Sequence, residues 1–205
     1  LAWVIDDDPL RLELSDTNPD AETRIRQRYA LLTLWFQSTI PWNKGNGWET
    51  EADECYWEGV SCQREEVTLL SVYQFNVHGH LSADIALLSS LTVLSVAENQ
   101  LTGSIPYTIG QLTNLKEFYI NNNELTGSIP LSIASWVNIK NLLFFNNELT
   151  GTIAICNGIG VNATRLVVDC DKVGCPCCSH CCPDGLVNGI PSFSGSCPVC
   201  TCAKL

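Results

Sequence analysis

Cysteine carries most of this chain's potential chemistry, and ten of the twelve cysteines crowd toward one end: Cys156, Cys170, Cys175, Cys177, Cys178, Cys181, Cys182, Cys197, Cys200 and Cys202. The other two are Cys55 and Cys62. Spacings such as Cys178-x2-Cys181 and Cys197-x2-Cys200, with His180 close by, have the donors of a zinc site. Adjacent cysteines (Cys177-Cys178, Cys181-Cys182) suit a disulfide knot better. The even total, with no methionine in the chain, points to an oxidising compartment. The tail has few large apolar residues, so it needs bridges, each stabilising by about 2–4 kcal/mol.

Other reactive groups are sparse. His78-x-His80 falls in a turn and is expected to be exposed rather than metal-bound. Serine is abundant, but no G-x-S-x-G or S-x-x-K motif is present, and no carboxylate pair stands apart from a solvated surface. The sequence therefore offers no catalytic constellation, asks for no cofactor and reads as a non-enzyme. Asn162-Ala163-Thr164 is the one N-glycosylation sequon.

What must position these groups is a repeat. Residues 91–162 read, in register, LTVLSVAENQLTGSIPYTIGQLTN, LKEFYINNNELTGSIPLSIASWVN and IKNLLFFNNELTGTIAICNGIGVN, a period of 24 residues. Residues 67–90 keep the same apolar places, and 163–170 begin another copy and stop. A fixed period of this kind marks a solenoid in which each unit stacks on its neighbours. The fourth and sixth places (Leu70/Val72, Leu94/Val96, Phe118/Ile120, Leu142/Phe144, Leu166/Val168) alternate as a short strand with one buried face. Copies then stack as a parallel sheet at about 4.8 Å per strand. Asn99, Asn123 and Asn147 follow the strand, where a buried amide can satisfy backbone groups of adjacent turns. Gly79, Gly103, Gly127 and Gly151 suit a bend, and Pro106 and Pro130 fix the return.

The pattern L-x-x-L-x-L-x-x-N-x-L-T-G-x-I-P, intact as LTGSIP at 101–106 and 125–130, resembles the plant-type leucine-rich repeat. Trp48…Cys55-x-Trp57-x-Gly59-Val60-x-Cys62 resembles the N-terminal cap of plant receptor ectodomains. The flanks RQRYALLTLWF and CPCCSHCC are similar to leucine-rich-repeat proteins of microalgae. The resemblance implies an α/β repeat fold: a solenoid with a parallel concave sheet, an N-terminal helical cap closed by a Cys55–Cys62 disulfide, and a disulfide-rich C-terminal cap. The expected organisation is an acidic arm at 1–19, a cap at 20–66, a solenoid at 67–170 and a Cys-rich cap at 171–205. Departures at the ends, Phe75 for Asn, Ser82 for Pro and Ala154 for Pro, are what capping repeats show.

Ahead of the repeats, Leu10, Leu12 and Leu14 alternate with charged residues, equally compatible with a strand or an unstructured arm. Asp20 is placed to cap a helix whose stripe Ile25, Tyr29, Leu32 and Phe36 faces the solenoid, with Arg24, Arg26 and Arg28 toward solvent. Trp42, Trp48 and Trp57 are expected to plug the open end of the core. The chain carries 22 acidic and 11 basic residues, net −11. That balance disfavours nucleic acid and anionic lipid as partners. No apolar run reaches about 18 residues, so a membrane link is expected only through a segment absent from this chain.

The strand places facing away from the core are the fifth and seventh. There Tyr73, Tyr119, Asn121, Leu143, Phe145 and Val167 are expected to line a ligand-binding concave face, because large apolar groups outside the core mark interaction sites. The alternative is that the C-terminal knot folds over them. Two functions remain open: an extracellular module recognising a protein or peptide, as co-receptor, adaptor or inhibitor, or a structural and adhesive protein of a cell-surface layer. The cysteine assignment has a direct check. The mass of the intact, unreduced chain in denaturant should fall below the reduced mass by twelve hydrogens, and zinc released stoichiometrically by a chelator would overturn the disulfide reading.

Overall fold

Leu70, Leu94, Phe118, Leu142 and Leu166 stand side by side in one sheet, each paired with its copy 24 residues on. The structure, a computed structural model, describes residues 19–38, 40–48, 50–153, 165–169 and 172–174, and the backbone of short strands at 180–181, 186–187, 190–191 and 199–202. The strands are β2 (Glu66–Ser71), β4 (Val93–Ser95), β6 (Glu117–Tyr119), β8 (Asn141–Leu143) and β10 (Arg165–Asp169), all parallel as the period predicts. β1 (Val60–Gln63) pairs antiparallel with β2 and covers one edge. At the other edge β15 (Val199–Cys202) pairs antiparallel with β10, and β12 (His180–Cys181) pairs with β15.

The Leu-Thr-Gly-Ser stretch, expected to be a bend, is a strand in each repeat. β3 (His78–His80), β5 (Gln100–Ser104), β7 (Glu124–Ser128), β9 (Glu148–Thr152) and β11 (Val173–Gly174) form a second parallel sheet. Gly103, Gly127 and Gly151 take φ of +74°, +77° and +88°. The chain thus bends inside the ladder without leaving it. Short 3-10 turns at Ala83–Leu87, Tyr107–Gln111 and Leu131–Ser135 complete each coil. Between them lies one core in which Leu94, Phe118, Ile120, Leu142 and Phe144 are at most 1% exposed.

α1 (Pro19–Phe36) starts one residue before the expected cap, with Pro19 at a first position that needs no amide hydrogen. Ile25 and Leu32 are buried as the stripe requires, but Phe36 is 50% exposed. Arg28 reverses the expectation. It is wholly buried, donates to the carbonyls of Ala52 and Thr50, and lies 4.8 Å from the Trp57 ring centroid. Carbonyl acceptors inside the cap make this burial tolerable, since a guanidinium left unbonded there would be very costly. Trp42, Trp48 and Trp57 do plug the core, and Trp35 joins them: successive centroids from Trp35 through Trp42 and Trp48 to Trp57 lie 4.8–4.9 Å apart. Phe75, replacing the ladder asparagine in the first repeat, meets Trp42 edge-on at 5.9 Å. Cys55 and Cys62 form the expected disulfide, with Cα atoms 5.4 Å apart. Residues 1–18, the sequon Asn162 and Cys156, Cys170, Cys175, Cys177, Cys178, Cys182 and Cys197 lie outside the described residues. Of Cys181, Cys200 and Cys202 only the backbone is described.

The cap also buries Glu54 completely, 3.7 Å from Arg28 and 4.0 Å from Arg24, with no hydrogen-bond partner on either carboxylate oxygen among the described residues. Burial raises its pKa above the ordinary 4.5, and the nearby Asp53 charge adds to this. The folded state then holds its proton more tightly than the unfolded state, so Glu54 lowers stability progressively as pH rises above 4.5. Glu54→Gln should remove that slope. The urea midpoint of the variant should match the wild type in acid and exceed it near neutrality; an unchanged pH profile would show that Glu54 is fully compensated by Arg24 and Arg28.

Candidate ligand-binding face

Three-residue strands with a buried central residue leave two side chains per strand on the outer face, and the second residue after the strand adds a third. Across β6, β8 and β10 this makes three rows. The first is Glu117, Asn141 and Arg165, side by side in register. The second is Tyr119, Leu143 and Val167. The third is Asn121, Phe145 and Asp169, just past the strands or at their ends.

The structure separates the expected residues. Tyr119, Leu143 and Phe145 are half-buried on neighbouring strands and form one continuous patch. Tyr73 is 41% exposed but lies two residues past β2, divided from that patch by Ser95 and Ala97, which are small and nearly covered. Val167 is 1% exposed and Asn121 7%, so neither is an open anchor. Val167 lies on the strand where the repeats end and β15 joins antiparallel. Asn121 is short and sits between Ala97 and Phe145 in its row. The row Glu117, Asn141 and Arg165 was missed, because only the fifth and seventh places were taken as outward. Period-two alternation points the third place the same way.

The electrostatics of the patch centre on Tyr119. Its hydroxyl donates to Glu117 Oε2 at 2.6 Å. Burial, then the Glu117 bond and charge, push the phenol up to about 12, against the opposing pull of Asn141 and Arg165. Tyr73 makes a similar pair with Glu98, which raises its phenol too. On β10, Asp169 accepts from the backbone N–H groups of Asn146 at 2.9 Å and Asn147 at 3.2 Å. Of the two histidines in the first repeat, His78 is half-buried and donates its backbone N–H to Ser38 Oγ, and His80 is exposed. No cluster of His, Cys, Asp and Glu among the described residues could hold a metal ion. The face offers apolar contact, hydrogen bonds and charge, which is chemistry for binding.

Two stacked parallel sheets, a repeating buried asparagine and an open sheet face define a leucine-rich-repeat solenoid. A family profile for leucine-rich repeats in two copies matches residues 89–133. No curated protein sequence matches significantly. Among solved structures, the BIR2 ectodomain from Arabidopsis thaliana is 28% identical with a TM-score of 0.58, over 62% of this chain and 70% of that one. The Arabidopsis receptor kinase HAESA ectodomain, in complex with an extended IDA peptide hormone ligand, is 26% identical with a TM-score of 0.56, over 64% and 22%. The BIR3–SERK2 complex from the same plant matches at 25% identity and a TM-score of 0.55, over 71% and 80%. The chain carries leucine-rich repeats and folds as a leucine-rich-repeat solenoid similar to these plant ectodomains. Among the described residues no helix is long and apolar enough to cross a membrane.

Phe144 and Phe145 test the register of this face. Phe144 is 1% exposed and packs edge-on to Phe118 at 5.7 Å. Phe144→Ala should cost about 3–5 kcal/mol of folding stability, and Phe145→Ala much less. Equal losses in thermal or urea unfolding would place Phe145 in the core and remove it from the face.

Proposed function

We propose that this chain is an extracellular recognition module that binds a protein or peptide across the concave sheet. The observation that carries the reading is the continuous half-buried patch of Tyr119, Leu143 and Phe145, held on a scaffold whose own core is already complete. Burial of Phe145 by a partner would contribute about 1.5–3 kcal/mol. Support comes also from the neighbours: the HAESA ectodomain in complex with a peptide hormone and BIR3 with SERK2. Five parallel strands span only about 24 Å. With so few repeats, the chain suits a co-receptor, adaptor or inhibitor better than a receptor acting alone. The sequon at Asn162 is the glycosylation site this reading assigns. An attachment to a membrane would come from a segment outside this chain.

The test is capture of partners by the immobilised full chain from extracellular extract. Phe145→Ala should weaken capture roughly 10- to 150-fold at 1.4 kcal/mol per decade. Tyr107→Ala and Leu131→Ala, at exposed positions on the opposite turns, should leave it unchanged. Capture that follows the turn variants and ignores Phe145 would move the site off the concave sheet.

A further inference from the structure

The two carboxylates of the three-row face are already engaged and its cation is not. Glu117 accepts from Tyr119, and Asp169 accepts two backbone N–H groups. Arg165, at the end of the first row, is half-buried and forms no ion pair with a described residue. Glu117 lies two strands away, about 10 Å at the usual strand spacing, and binds the Tyr119 hydroxyl instead. Just before β6 and β8, Lys116 and Lys140 are exposed, one repeat apart, and likewise form no ion pair among the described residues. In a chain of net charge −11, Arg165 is thus an unengaged cation beside the apolar patch, with Lys116 and Lys140 exposed where the chain enters the two neighbouring strands.

A half-buried guanidinium has lost part of its hydration and regains most from a carboxylate, which it can grip with two parallel N–H bonds. Backbone pairing continues past Arg165 into β15 and β12, so a bound chain can run on beyond it, and the matching carboxylate is a side chain rather than a chain end. Resting on the concave-face reading above, we propose that this face selects peptide segments in which an aspartate or glutamate stands beside large apolar residues. Arg165 takes the carboxylate, and Tyr119, Leu143 and Phe145 take the apolar side chains. A basic segment, favoured by the overall charge of the chain, is disfavoured here.

The test uses random peptides displayed between fixed flanks, so that no free C-terminus is presented, and selected on the full chain. Binders that depend on the patch, judged by loss with Leu143→Asp, should be enriched in Asp or Glu next to Leu, Phe or Tyr. For one such peptide, synthesised with both ends blocked, Arg165→Gln should weaken binding roughly 10- to 100-fold, the size of a charge-assisted hydrogen bond. Replacing its acidic residue by the amide should weaken binding equally and add nothing further in the Arg165→Gln variant. Patch-dependent binders that are neutral or basic, or that ignore Arg165→Gln, would overturn acid selection and leave peptide recognition standing. Absence of any binder sensitive to Leu143→Asp would overturn both.

Discussion

A buried amide sets the geometry of every coil. The side chains of Asn99, Asn123 and Asn147 each donate to carbonyls of their own turn, at Val96, Ile120 and Phe144, and to a carbonyl of the preceding coil, at Val72, Val96 and Ile120. Their oxygens accept from the preceding coil as well: Val77 and Phe75 bond to Asn99, Leu101 to Asn123 and Leu125 to Asn147. An unbonded backbone group in that position would cost about 1–3 kcal/mol, and one amide satisfies three or more. The residue before each asparagine accepts a left-handed conformation as a result, at φ +55° for Glu98 and +56° for Asn122 and Asn146. A neighbouring coil also supplies backbone carbonyls to these amides, as when Asn122 donates to Phe145 and Asn123 to Asn146. Asp169 ends the series. Its two carboxylate oxygens take the N–H groups of Asn146 and Asn147 that a further coil's carbonyls would otherwise take.

At the other end the ladder is closed by aromatic packing. Phe75 stands where the first asparagine would be, and its ring faces the tryptophans of the cap. A repeat with no predecessor has no backbone groups to receive an asparagine side chain, so an apolar residue there is the cheaper solution. Arg28 then serves the cap as the asparagines serve the repeats. From inside, it binds carbonyls of a loop with no regular structure.

Much of this was legible in sequence, for a specific reason. Core places such as Leu94, Phe118 and Leu142 recur at a fixed period, and each copy confirms the others, so strand, direction and register follow together. The second sheet was not legible. Thr, Gly and Ser favour turns, and only stacking on an identical neighbour turns Leu101 to Ser104 into a strand, which is tertiary context overriding propensity. Arg28 was misplaced because a charge on a helix reads as solvent-facing and its carbonyl partners leave no mark in the sequence. Val167 was misplaced because it holds an outward place of the alternation and is nevertheless covered, 1% exposed. Arg165 lay in plain view. It occupies an outward place of the same alternation that located Leu143.

The face inherits its rigidity from the ladder. Tyr119 and Leu143 each lie between two core residues on a strand hydrogen-bonded on both sides, so the backbone there cannot adjust to a ligand. Little ordering is left to oppose binding, which favours affinity for a segment that already matches. The charge pattern then acts at close range. The Debye length is about 8 Å at physiological ionic strength, so an approaching acidic segment meets the repulsion of the whole chain only weakly, and Arg165 is felt mainly at contact. Added salt should therefore ease the approach of an acidic ligand and loosen it once bound. Selection at this face resides in the lifetime of the complex more than in the rate of encounter.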